Sequence, residues 1–253
     1  MRATCRLTGT AKKTVENLLV SAGKACLENH NKIVQNLTCK VIQVDEIWSF
    51  TYCKQANVPK EIGGGHIGDT WTWIAIDADA KLIPAWHVGK RDSSDAYWFI
   101  NDLKSRLTHR VQLTSDGHRA YLEAVEGAFG SEVDYAMLIR LYGKPLSEME
   151  ARYSPPPCIG TRKRRITGNP DRELVSTSYV ERVNMTVRMS NRRFTRLTNA
   201  FSRKLENHKH ACAINFFHYN FCRVHQTLRV TPAMEAGIAD HVWSLEEMAE
   251  LID

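Results

Sequence analysis

Several signatures are absent from this 253-residue sequence, and each absence excludes a class. Its seven cysteines (Cys5, Cys26, Cys39, Cys53, Cys158, Cys212 and Cys222) are odd in number and scattered, with no C-x-x-C pair. That argues against a disulfide scaffold and against a zinc finger. The longest apolar runs, Ala96–Ile100 and Tyr135–Ile139, are five residues, against the roughly 20 that a membrane-spanning helix needs. The N-terminus carries Arg2, Arg6, Lys12 and Lys13 but no apolar stretch of signal-peptide length. Glycine (14) and proline (8) are too few for a collagen-like chain, and 43% apolar residues are too many for a disordered one. These features predict a soluble, cytoplasmic globular protein.

What is present is uneven charge. The formal net charge is +6, yet residues 160–209 hold 13 Lys/Arg against four Asp/Glu, a net of +9. The remaining chain is therefore slightly acidic. A positive field confined to one fifth of a sequence points to a polyanion partner, most often nucleic acid; the plainer alternative is a solvated basic surface.

The first 20 residues read as helix, turn, helix. Gly9 supplies the turn and Thr10 caps a second helix running to Val20. Lys12, Lys13 and Thr14 lie where the front of a recognition helix meets DNA, although a simple helical hairpin reads the same way. From Lys40 the period changes to that of strands: Val41–Trp48, Trp71–Ile76, Leu82–Val88 (Pro84 marking an edge or a bulge), Arg110–Thr114, and Val133–Leu141 as a short strand or elbow. Asp92 and the serines after it cap a helix to about Leu107. A second helix covers His118–Phe129. Residues 143–175 lack periodicity and contain Pro155–Pro157 and the run Arg162, Lys163, Arg164 and Arg165, so they read as a long basic loop. Helices follow from Tyr179 to about Arg193 and from about Arg203 to Cys222. The order predicts an α/β protein with a mixed five-stranded sheet flanked by helices. It divides into a helical segment (1–36), a central α/β domain (37–205) and a C-terminal helical extension (206–253).

Three acids stand out. Asp45 interrupts an apolar strand, Asp116 directly follows the fourth strand, and Glu181 opens the long helix. A buried carboxylate is costly unless paired or metal-bound. Carboxylate oxygens are the ligands that Mg²⁺ prefers, and two such ions between shared carboxylates suit phosphodiester cleavage. Each acid also has an ordinary reading. Asp116-Gly117 can be a turn, Glu181 can close a capping box with Ser178, and Asp45 can be a partly exposed strand residue. On the helix, Val180, Val183, Val187 and Phe194 form an apolar stripe, while Glu181, Asn184, Arg188 and Arg192 share another face.

At these residues the sequence resembles the DDE transposases of the insertion-sequence-one type. The resemblance runs through Val44-Asp45-Glu46-Ile47-Trp48-Ser49-Phe50, Trp71–Asp77, Thr114-Ser115-Asp116-Gly117 and Tyr179-Val180-Glu181-Arg182-Val183-Asn184, covering about residues 40–205. The segment Tyr219-Asn220 with Arg223, His225, Leu228 and Thr231-Pro232 is similar to the tail of many bacterial transposases. The resemblance implies a ribonuclease H-like core, with Asp45, Asp116 and Glu181 as catalytic, metal-binding acids for Mg²⁺ or Mn²⁺. It also implies DNA cleavage at transposon ends followed by strand transfer. Members carry a zinc-binding element ahead of a helix-turn-helix; no such cysteine cluster is present here, so the resemblance implies that the first helices are a helix-turn-helix remnant, of a shortened copy or of one given without its upstream portion. DNA contacts are expected from Lys12, Lys13, Arg162, Lys163, Arg164, Arg165, Arg188 and Arg192, with His118 and Asn184 supporting the acids. The partners implied are transposon-end and target DNA and, because two ends are cut together, at least a dimer of the chain. Two rival readings share the same acids or none: a metal-dependent nuclease of the same fold, or an inactive copy acting as a DNA-binding repressor.

Overall fold

The sheet is organised about β1 (Val41–Thr51), which pairs along nearly its whole length with antiparallel β2 (Gly68–Asp77). The computed structural model describes residues 1–62, 67–143, 156–195 and 198–252. Strand β3 (Trp86–Gly89) extends this meander on one side. On the other side of β1 lie β4 (Val111–Ser115), parallel to it, and β5 (Val133–Tyr142), parallel to β4. Helices α3 (Ser93–Ser105) and α4 (Ala120–Phe129) precede β4 and β5, as parallel neighbours require a crossover. Asp92 caps α3 as expected, accepting from the Asp95 backbone N–H.

Among the described residues the sheet has six strands, in the order β3-β2-β1-β4-β5-β6, not the five expected. The sixth, β6 (Cys158–Thr167), pairs antiparallel with β5 inside the segment expected to be a long basic loop. Its side chains are almost all exposed. With no face to bury, it has no apolar alternation, so the backbone ladder forms without the pattern that announces a strand. Strand β3 is also shorter than expected. Residues 82–85 before it bond to β2 irregularly, the Asp77 and Ala75 N–H groups donating to the carbonyls of Leu82 and Ala85.

Alternation sends successive β1 residues to opposite faces. Ile42 and Val44 join Trp73, Ala75, Leu113 and Tyr135 in a core completed by Phe99 of α3 and Tyr121 of α4. Ile47 joins Ile74, Ile76 and Val88 on the other face, covered by α5 (Ser178–Ser190) through Val180, Val183 and Val187, with Phe194 of the following turn. All four residues of that stripe are at most 3% exposed. Each buried valine contributes roughly 1.5–3 kcal/mol, enough to fix which side of α5 meets the sheet.

At the N-terminus, α1 (Arg2–Thr8) ends on Gly9 in the left-handed conformation, as the turn required. The next helix, α2, is longer than expected, running from Lys12 to Ile33. Thr10 does not cap it. The N-cap is Ala11, without a side-chain bond, and Thr10 instead shares a hydrogen bond with Thr8. The inner half of α2 packs on α6 (Leu205–Phe217), which a π-helical turn (His218–Cys222) prolongs. Phe217, Phe221 and Ala233, the last in α7 (Pro232–Glu235), enter the same core as Trp73 and Phe99, as do Cys26 and Val34. The final helix is α8 (Leu245–Glu250), begun by a Ser244–Glu247 capping box. Among the described residues, no helix is long and apolar enough to cross a membrane.

Candidate active site

The register of β1 on β4 brings two of the acids level. Gln43 pairs with Thr114, so two residues further along these parallel strands Asp45 faces the level of Asp116. Glu181 arrives on α5, and the sheet itself fixes where that helix starts. The Gln43 Oε1 accepts the backbone N–H groups of Tyr179 (2.8 Å) and Val180 (3.2 Å). A wholly buried side chain of β1 thereby satisfies donors that a helix N-terminus leaves unpaired. Glu181 does not close a capping box with Ser178. The N-cap is Thr177, whose hydroxyl donates to Glu181 Oε1 at 2.6 Å.

Asp45 is the most buried of the three acids. Burial, with the neighbouring charges of Glu46, Asp116 and Glu181, pushes the Asp45 carboxyl up to about 7. Asp45 Oδ2 accepts from Asn184 Nδ2 at 2.8 Å, and its Oδ1 accepts from the Glu46 backbone N–H. Asp116 Oδ1 accepts the His118 N–H at 2.9 Å, which closes the turn after β4. Two arginines face the other acids. Arg140 of β5 forms a salt bridge with Glu181, and Arg91 Nη2 approaches Asp116 Oδ2 at 3.8 Å.

Behind Asp45, on the opposite side of the sheet, lies a second carboxylate. Glu46 Oε1 accepts from Arg91 Nε at 2.5 Å and Oε2 from the Tyr121 hydroxyl at 2.9 Å. Burial and the Asp116 charge raise its pKa, against the pull of Arg91. The His118 ring stacks on Trp73 with centroids 5.8 Å apart. Burial and the Arg91 charge lower its pKa, and its buried Nε2 has no hydrogen-bond partner among the described residues.

Of the residues expected from sequence, Asp45 and Asp116 stand level on neighbouring strands, Asn184 bonds Asp45 and the His118 N–H bonds Asp116, while the Glu181 carboxylate is engaged by Thr177 and Arg140. Arg188 is half-buried on α5 one turn beyond Asn184, and Arg192 is exposed in the turn that follows the helix. Arg162, Lys163, Arg164 and Arg165 lie on β6, all exposed. Lys163 donates to the Arg172 carbonyl at 2.7 Å. Lys13 is exposed on the first turn of α2, and Lys12 pairs with Glu16 at 3.2 Å. Sequence reasoning passed over Glu46, Arg91, Arg140 and Gln43. For Glu46 a signal existed: a second acid in an apolar strand faces the opposite core by alternation and needs its own partner.

Carboxylate oxygens are the donors that a hard divalent cation prefers. In the described residues, however, no group of three His, Cys, Asp or Glu side chains stands close enough to hold one. Arg140 and Arg91 lie against two of the three acids, where a cation would compete with them. No family model matches the chain, and no curated protein does.

Proposed function

We propose that this protein is a metal-dependent DNA strand transferase, a DDE transposase with a ribonuclease H-like core. The observation that carries the reading is geometric: the β1–β4 register sets Asp45 level with Asp116, and Asn184, one turn beyond Glu181 on α5, bonds Asp45 at 2.8 Å. The mixed sheet, with its antiparallel β1-β2-β3 meander and parallel β4 and β5, is compatible with that core. Asp45, Asp116 and Glu181 would hold Mg²⁺ or Mn²⁺, which supplies activation of water and charge stabilisation at the leaving oxygen.

The chain's own groups orient this centre. Asn184 holds one oxygen of Asp45, Thr177 and Arg140 hold Glu181, and the His118 N–H holds Asp116. In the first step water attacks a phosphorus at an element end and breaks its bond to the 3′ oxygen, leaving a 3′-hydroxyl. That hydroxyl then attacks a target phosphodiester. One P–O bond forms for each broken, so joining needs no energy-rich co-reactant. The cations of β6, with Lys12, Lys13, Arg188 and Arg192, are candidates to contact DNA phosphates. Cutting two ends together calls for at least a dimer.

A second reading, a DNA-binding copy without catalysis, draws on the arginines that already neutralise Asp116 and Glu181. One experiment separates the two. The full chain is incubated with duplex DNA carrying the element's ends and with Mg²⁺ or Mn²⁺, beside Asp116→Ala. Metal-dependent nicks and joined products from the wild type alone support the transferase. Nicks without joining indicate a nuclease. Binding without either, and no rise in melting temperature on adding the metal, indicates the non-catalytic copy.

A further inference from the structure

We propose that Arg91 is a built phosphate-binding residue: fixed by buried Glu46 and stacked on Trp71, its guanidinium takes a non-bridging oxygen of a nucleic-acid phosphodiester lying beside Asp116. The inference rests on the acids being a nucleic-acid site. Arg91 sits in the short link between β3 and α3, outside every motif that points to the acids. It is held on two sides. Its Nε donates at 2.5 Å to Glu46, whose side chain is fully buried. The other Glu46 oxygen is occupied by Tyr121, so this carboxylate is a rigid support with both oxygens engaged. The guanidinium carbon stands 4.7 Å from the Trp71 ring centroid, the geometry of a cation–π contact.

These contacts use one edge of the planar fork and one of its faces. The nearest approach to Asp116, 3.8 Å, is longer than a hydrogen bond. Among the described residues, the Nη donors on the outer edge take no hydrogen-bond partner. The side chain is 38% exposed, unlike its partner, so incoming ligand reaches it. A guanidinium matches phosphate with two parallel N–H···O bonds. Holding it in place beforehand removes the side-chain ordering cost that a free surface arginine meets on binding. A counterion serving Glu46 alone would gain from being buried with it. Arg91 instead reaches from that carboxylate out to the edge of the acid trio.

The test is fluorescence anisotropy with a short fluorescein-labelled DNA duplex of arbitrary sequence, in EDTA, over a potassium chloride series. Each phosphate contact adds about 0.9 to the slope of log affinity against log salt. Two variants are compared with the wild type: Arg91→Gln, and Arg91→Gln with Glu46→Gln. The double variant leaves the net charge of the chain unchanged and strands no buried carboxylate, so it carries the comparison if the single variant melts early. The expected result is weaker binding and a slope reduced by about one in the double variant, with a wild-type-like melting profile. A wild-type slope and affinity in that folded double variant would overturn the inference while leaving the acid-site reading intact. A wild type that binds no DNA overturns both.

Discussion

Asn184 donates from Nδ2 to Oδ2 of Asp45 at 2.8 Å, across 139 residues of sequence. The bond joins α5 to β1 one helical turn beyond Glu181. The same helix begins on Gln43, two residues before Asp45. The placement of α5 on β1 is thus secured at two points by polar side chains and between them by valines.

Removing the Asn184 amide should loosen Asp45 without unfolding the protein. Groups that orient metal-binding side chains typically matter by about 10–100-fold in metal affinity or activity. Asn184→Ala is expected to lose that much metal-dependent nicking while keeping the wild-type circular dichroism spectrum. Nicking at the wild-type rate would show that the bond orients nothing the reaction uses.

Two buried histidines make the fold sensitive to acid. Burial and the nearby Arg106 lower His30 to about 3, and burial with Arg193 lowers His208 to about 4. Pro84 O can only accept, so His30 Nε2 carries the proton in their 3.2 Å bond. Both folded-state values lie below the unfolded one near 6.5. The stability they contribute is therefore complete above that pH and declines as pH falls towards 3–4. At pH 5 the loss is about 2 kcal/mol for each. Urea unfolding at pH 7 and pH 5 measures it, and His208→Gln should shrink the difference.

Gly23 is where α2 comes closest to α6. A Cβ built there would lie 2.3 Å from the Cβ of His210. Alanine usually gains about 0.5–1 kcal/mol over glycine inside a helix. Here the overlap should reverse the sign and destabilise by about 1–3 kcal/mol. A Gly23→Ala protein with a higher urea midpoint than the wild type would contradict this packing.

Asn220 acts as a short substitute strand. Its Oδ1 accepts from the Ile83 N–H, and its Nδ2 donates to the Ile83 carbonyl, both at 2.9 Å. Asn220→Ala leaves both buried backbone groups unpaired, at a cost of about 2–4 kcal/mol. The expected readout is a matching drop in unfolding free energy together with faster hydrogen exchange at Ile83. The role of the tail segment around Tyr219 and Asn220 is accordingly to hold the irregular stretch before β3.

The features legible in the sequence were those with a period. The valine stripe of α5 could be read because burial at 3.6-residue spacing leaves a mark. The parallel β1-β4 pairing sets Asp45 level with Asp116, a relationship that follows from the order of the elements and not from any local pattern. Strand β6 could not be read, since an exposed ladder asks nothing of its side chains. The Gln43 cap was equally hidden. A glutamine among strand residues carries no sign that its amide reaches a helix more than 130 positions later. Arg91 and Arg140 were indistinguishable from any surface cation until the carboxylates beside them were placed.

Among the described residues strand β6 is the outer edge of the sheet, paired with a strand on one side only, with Arg162, Lys163, Arg164 and Arg165 along it. Open edges are templates on which further strands add, and rows of like charge oppose that addition. Two copies approaching edge to edge here would press eight cationic side chains together. High salt or an excess of polyanion weakens that opposition, so the colloidal behaviour of the protein should depend on ionic conditions through this one strand.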